Sequence, residues 1–175
     1  VCYTGTGSAT TQAHNLGVAP QLIIAKHRNA TDNWPVYSAF VTQEGQYRAK
    51  LNDTAGFSAS GEACWAATST DVPTMTSTVF SIGNDSKVNA SGGTYVAYLF
   101  ASCPGVSKVF SMTGNGTTQT VNCGFTAGAR FVLLKRTDST GNWMVFDTAR
   151  GMTTSTDPWL ALNLTSAESA TSGAC

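Results

Sequence analysis

The sequence predicts an all-β protein, a β-sandwich or jelly-roll-like assembly built from an internal repeat of about 109 residues. Two stretches, Gln21 to Tyr37 (QLIIAKHRNATDNWPVY) and Arg130 to Phe146 (RFVLLKRTDSTGNWMVF), share one pattern: an apolar strand, a basic exit, a polar turn closing on Asn-Trp, and an alternating second strand. Small polar residues stand where charge is usual, with 26 Thr, 17 Ser and 17 Gly against 11% charged residues. Thr is β-branched and suits a pleated surface, while Gly and Asn supply turns. No stretch sustains a 3.6-residue apolar period, so long helices are not expected.

At the 109-residue offset Lys26 falls on Lys135, Thr31 on Thr140, Asn33-Trp34 on Asn142-Trp143 and Val36 on Val145. The register extends back to Tyr3 through Gly7, which falls on Met112 through Gly116, and resumes downstream shifted by two, with Leu51-Asn52 on Leu162-Asn163. A repeat of this length is a domain-sized module, not a solenoid turn. It divides the chain into a first unit, residues 1–108, and an incomplete second unit, residues 109–175. The second unit stops short of counterparts to the strands at Val79 to Ile82 and Tyr95 to Phe100. An open sheet edge and an uncovered apolar face are expected there, to be covered by further chain, a neighbouring subunit or the first unit.

In chain order, Val1 to Gly7 reads as a short strand closing on Gly-Thr-Gly, followed by a polar strand through Ala13. His14 to Pro20 is a loop, with Gly17 free to take positive φ and Pro20 fixing the entry to the next strand. Leu22 to Ala25 is apolar on both faces, as an interior strand is. Trp34, Val36, Tyr37 and Phe40 resume the pattern after the turn at 29–33, which makes a hairpin. Gln43 to Lys50 is the most polar segment and is expected to be an exposed connection. Thr54 to Thr78 suggests loops and short irregular strands, interrupted by Cys64-Trp65 and Pro73. Val79 to Ile82 is a strand, Asn84 to Ser86 and Asn89 to Gly93 are turn clusters, and Tyr95 to Ala101 is expected as a buried strand. Cys103-Pro104-Gly105 closes the first unit and Val109 to Met112 opens the second.

Composition excludes several classes of function. The formal net charge is zero, so the chain lacks the concentrated basic face that nucleic acid or an anionic membrane requires. Its longest strongly apolar run, seven residues, is far below the roughly 20 needed to cross a bilayer as a helix. With no starting Met and no signal-peptide pattern, Val1 reads as an internal or processed start. Cys2, Cys64, Cys103, Cys123 and Cys175 are odd in number and form no C-x-x-C pair, so they read as small buried hydrophobes or free thiols, without zinc-ligand spacing. One or two disulfides would require an oxidising compartment.

Catalytic signals are weak. His14 and His27 are the two histidines, and no Ser or Cys sits in a G-x-S-x-G context. A glycosidase needs two carboxylates across a sugar. The candidates are Glu44, Glu62, Asp71, Asp138, Asp147, Asp157 and Glu168, most of them in turn-like contexts where Asp caps its own backbone. Gly5 to Gly7 and Gly114 to Gly116 superficially resemble phosphate-cradling loops, but lack the following helix and any Lys, so a β-turn explains them. Asn/Asp-rich loops at 84–91 carry oxygen ligands without EF-hand spacing, and no metal or cofactor is expected. Trp34 and Trp143, each after an Asn at a hairpin mouth, are either core anchors or sugar-stacking platforms, and their recurrence at one topological place favours packing. With Asn33, Asn142 and Asp138 they form the candidate ligand-binding set. Six N-x-S/T sequons, at Asn29, Asn52, Asn84, Asn89, Asn115 and Asn163, fit a secreted glycoprotein or arise from the Asn, Ser and Thr content.

These words occur together in one known setting. Asn89 to Tyr98 (NASGGTYVAY), Met112 to Gly116 (MTGNG), the LLKRTD…NW hairpin, Phe146 to Gly151 (FDTARG) and Leu16 to Gln21 (LGVAPQ) resemble a repeated β-rich module of tailed-bacteriophage virion proteins, including tail fibres and fibre-like appendages. The resemblance covers most of the chain. It implies a virion structural protein, a tail-fibre or other appendage module used in assembly and in adsorption to host-surface glycans, with no catalytic motif and so no enzyme activity. It also implies association with further copies, as in a homo-trimer, and with other virion proteins. The alternatives are a polysaccharide-degrading tailspike or secreted glycosidase or lectin domain, and a head-decoration protein. The cysteines at 64, 103 and 123 and the truncated second unit depart from the module.

Overall fold

The computed structural model describes residues 1–41, 47–59, 61, 63–152 and 157–169. Among these residues the chain is nearly all β, with antiparallel pairing throughout. A six-stranded sheet has the order β1 (Cys2–Thr4), β8 (Thr94–Phe100), β3 (Leu22–His27), β4 (Pro35–Ser38), β5 (Tyr47–Lys50), β6 (Ser58–Ala59). A two-stranded sheet pairs β2 (Thr10–Ala13) with β7 (Val79–Ile82), and a three-stranded sheet has the order β11 (Leu160–Ala161), β10 (Trp143–Asp147), β9 (Phe131–Lys135). One helical turn, α1 (Ser86–Asn89), is capped by Asp85, whose carboxylate accepts from the Lys87 backbone N–H.

The large sheet buries apolar residues on both faces because side chains alternate along each strand. On one face Ile23, Ala25, Tyr37 and Ala97 pack with Trp65, Phe80, Ile82 and Val88. On the other, Ile24, Val36 and Ala49 pack with Trp143 of β10, bordered by Leu22 and Leu133. Each large side chain fully buried in this way contributes roughly 1.5–3 kcal/mol.

Two expectations are corrected. Tyr47 to Lys50 is a strand, not an exposed connection, and Arg48 and Ala49 are buried. Arg48 is tolerated inside because its guanidinium pairs with the buried Asp85 carboxylate at 3.0 Å. Residues 43–46 of that segment lie outside the described residues. Cys64 and Trp65 lie in irregular chain, as expected, and sit at the centre of the first cluster. The strand at Tyr95 to Phe100 is only half buried: Tyr98 and Phe100 stay 49% and 45% exposed.

The two halves of the chain pair in one register where both partners exist. Val36 stands opposite Ala49 and Pro35 opposite Lys50, just as Val145 stands opposite Leu160 and Met144 opposite Ala161. Residues 109–122, by contrast, form no strand, and residues 110–122 are exposed throughout.

Candidate functional site

The strand directions gather the loops singled out in the sequence at one end of the large sheet. His27 stands opposite Tyr95, and Pro35 opposite Lys50, so the turns after β3 and β5 and the turn before β8 emerge together. The hairpin tip at 136–142 joins them through backbone bonds from Phe57 N–H to Thr137 O at 2.8 Å and from Gly141 N–H to Thr54 O at 2.8 Å. Lys135 Nζ ties the two, donating to Thr54 O at 2.7 Å and Gly141 O at 2.6 Å, and burial pulls its pKa down.

Each hairpin mouth is closed by the same device. Asn52 Oδ1 accepts the Trp34 backbone N–H at 3.0 Å, and Asn52 Nδ2 donates to Asn33 Oδ1 at 2.9 Å. Asn163 Oδ1 accepts the Trp143 N–H at 2.8 Å, and Asn163 Nδ2 donates to Asn142 Oδ1 at 2.9 Å. Lys26 and Lys135 each set an ammonium over the following Trp ring, at 5.5 and 5.7 Å from its centroid.

A second hub is Asn89, fully buried. Its Oδ1 accepts the Thr6 N–H at 2.8 Å, and its Nδ2 donates to Ser8 O and Gly83 O, both at 2.7 Å. It locks the Gly-Thr-Gly turn to α1, which is why that turn needs no phosphate to explain it. The same burial closes its sequon to a glycan in the folded chain. Beside it Tyr95 OH donates to Ser86 O at 2.6 Å and accepts from Ala90 N–H at 2.8 Å, and His27 stacks on the Tyr95 ring at 4.4 Å.

The structure therefore separates the predicted ligand-binding residues. Trp143 is corrected to a core anchor: it is 2% exposed and its indole N–H donates to Lys50 O at 2.8 Å, so neither ring face is open to a sugar. Asn33 and Asn142 spend their side-chain oxygens on the clamps, and Trp34 is half-buried beneath Lys26. Asp138 alone of the set is well exposed, on the 136–142 tip, where the Arg136 guanidinium bonds its carboxylate at 2.8 Å and holds it below the usual carboxylate range. Asn29 and Thr31 are exposed on the neighbouring turn, and Asn29 Oδ1 accepts the Thr94 N–H, which aligns that turn with the start of β8. The sequence reading missed Asn52, Asn163 and Asn89 as organisers. Their signal was present for the first two, as the Leu-Asn pair repeated at the shifted offset.

The Cys64 thiol donates to the Asp85 carboxylate at 3.1 Å, but both are buried and Arg48 pairs with the same carboxylate, which makes the cluster a core device. His27 and His14 are both buried, and His14 accepts the Leu16 N–H at Nδ1 while Nε2 meets Thr76 O, a structural role. Asp147 and Glu168 both bind Arg150, beside a shallow depression of about 490 Å³ lined by Arg130, Phe131 and residues 147–150 at the opposite end of the hairpin. They share one guanidinium and do not face each other across a groove. Glu44 and Glu62 lie outside the described residues, as does Cys175. Among the described residues no cluster of three or more His, Cys, Asp and Glu could hold a metal ion, and Cys2, Cys64, Cys103 and Cys123 are free thiols. No described helix is long and apolar enough to cross a membrane.

The family model described as "Domain of unknown function (DUF7483)" matches residues 1–174. No curated protein and no solved structure matches the chain.

Proposed function

The chain belongs to the DUF7483 family, and within that family we propose that it is a tailed-bacteriophage virion structural protein, a tail-fibre or other appendage module that assembles with copies of itself and presents its loop end to host-surface glycans. The observation that carries the reading is the gathering of the 29–33, 51–57, 86–93 and 136–142 loops at one end of a rigid sheet, clamped from beneath by Asn52, Asn89 and Asn163. Functional loops need such a scaffold. Exposed Asn29, Thr31 and Asp138 offer amide, hydroxyl and carboxylate groups, the chemistry that holds neutral sugars by hydrogen bonds. The resemblance of the sequence to phage appendage modules supplies the setting.

The same reading takes the chain as a duplicated unit in which two sheets face each other across Trp143, with boundaries near residue 108. The recurring Lys-Trp-Asn clamps and the matching registers of β4·β5 and β10·β11 support it. A degradative role has less support, because the carboxylates nearest the depression are both engaged by Arg150.

Mass spectrometry of purified virus particles tests the setting, and a glycan array probed with the purified chain tests the loop end. A chain absent from particles sinks the virion reading. Hydrolysis of an arrayed glycan would replace adsorption with the degradative alternative.

A further inference from the structure

We infer that the free edge of β9 accepts an antiparallel strand of the β8 type, supplied by another unit of this family, which inserts between β9 and residues 111–113. This rests on the duplicated-unit reading. In the first half β8 lies between β1 and β3 and pairs with both, Cys2 opposite Val96 and Ile24 opposite Tyr98. At the 109-residue offset β1 falls on residues 111–113 and β3 on β9. Residues 111–113 are exposed and form no strand, and among the described residues β9 is the last strand of its sheet. One missing neighbour explains both.

The edge has the geometry such a strand needs. Arg130 O accepts from Thr148 N–H and Trp143 O accepts from Leu162 N–H, so by strand alternation Phe131, Leu133 and Lys135 turn their peptide groups away from β10. Their counterparts Leu22, Ile24 and Lys26 stand opposite Phe100, Tyr98 and Val96 of β8.

The side chains agree. Edge strands are normally protected by charge, proline or a bulge. β9 runs Phe131, Val132, Leu133 and Leu134 before its single charge, and Phe131 is 60% exposed. Tyr98 and Phe100 share a sheet face with Ile24, which packs on Trp143, yet they are half exposed. The required occupant is neutral and alternately apolar, as Thr94 to Phe100 (TYVAYLF) is. Pairing two β9 edges from two copies instead would leave residues 111–113 unpaired and set Lys135 against a partner's apolar strand.

The test is a synthetic peptide with the sequence of residues 92–101, flanked by lysines for solubility, titrated into the ¹⁵N-labelled chain while amide exchange is read residue by residue. Exchange at Phe131, Leu133 and Lys135 is expected to slow about tenfold or more, together with exchange at Met112, the counterpart of Tyr3, which faces β8 in the first half. A peptide N-methylated at the positions of Val96 and Tyr98 is expected to do neither, a control that leaves the protein unaltered. Unchanged exchange with excess peptide overturns the inference, without touching particle mass spectrometry or glycan binding. Slow exchange at β9 in the free chain, with a dimeric mass by light scattering, overturns it in favour of a second copy. Protection of β9 without Met112 overturns the insertion and the duplicated-unit reading together.

Discussion

Asn52 and Asn163 do one job at two places: each takes the backbone N–H of a tryptophan with its side-chain oxygen, at 3.0 and 2.8 Å, and passes its amide to the asparagine preceding that tryptophan. The two tryptophans differ in what lies above them. Trp34 remains half-buried, whereas Trp143 is sealed against the large sheet. One local device is thus used once near the surface and once in the core.

That difference predicts unequal costs. Asn163→Ala leaves the Trp143 N–H without its acceptor in a partly buried site and is expected to cost about 1–3 kcal/mol. Asn52→Ala, whose bond is exposed to water, is expected to cost about 1 kcal/mol or less. Urea denaturation of both variants checks the order, and equal losses would contradict it.

Trp143→Ala should be among the most damaging single changes, about 3–5 kcal/mol, since it opens a cavity under Ile24, Val36 and Ala49. Trp34→Ala is expected to cost clearly less. Trp143→Phe keeps most of the buried area and loses the bond to Lys50 O, an expected loss near 1–3 kcal/mol. Thermal unfolding of the three variants separates cavity from hydrogen bond.

Arg48, Asp85 and Cys64 form a buried polar cluster, with the guanidinium 2.9 Å from the Cys64 sulfur and 3.0 Å from the Asp85 carboxylate. Asp85→Ala removes the counter-charge and the cap of α1 together, so a loss of about 3–5 kcal/mol is expected. Arg48→Met combined with Asp85→Leu should recover part of it. Alkylation of the native chain is expected to reach the exposed Cys2 and Cys103 and spare Cys64.

Burial sets the response to alkali. It pushes the Tyr37 hydroxyl up to about 12 and the Cys64 thiol well above its usual range. The folded chain therefore keeps protons that the unfolded chain releases, and stability falls as pH rises. The loss begins above the ordinary thiol and phenol values, about 8.5 and 10, and continues toward the folded Tyr37 value. Urea midpoints measured from neutral pH upward should decline across that window, and Tyr37→Phe should flatten the upper part. A rising midpoint would refute the linkage.

At the loop end the expectation reverses. Arg136 and Asp138 are exposed, and exposed pairs contribute little to folding. Asp138→Ala should leave the unfolding midpoint unchanged while weakening any glycan retained on an array, most of all when combined with Thr31→Ala. Unaltered glycan binding in the double variant would move the binding surface elsewhere.

Much of the fold was legible before any coordinates. Short apolar runs located β3, β7, β8 and β9, and alternation located β4 and β10, because each pattern matches how the two faces of a strand are covered. Local pattern failed where neighbours decided. Tyr47 to Lys50 looks like solvated chain until Asp85, 37 residues past Arg48, neutralises its arginine. Cys64-Trp65 is irregular chain, as its sequence reads, but its place at the centre of a core comes from Phe80 and Val88, which close around it. In the candidate site, Asp138 was readable as an exposed turn residue. For Trp143 recurrence favoured packing, but packing on Val36 and stacking on a sugar demand the same ring, and the burial of Trp143 decided between them.

The sequence by itself determined most of the strands and the Asn-Trp hairpin at each of its two places, since each depends on residues within a few positions of one another. Only the tertiary structure decided which tryptophan is covered, where the loops meet, and which edge remains open. Those outcomes depend on contacts between segments far apart in the chain. Residues 111–113 fall on β1 at the repeat offset, yet among the described residues no strand pairs with them, and a strand exists only where another strand completes its hydrogen bonds.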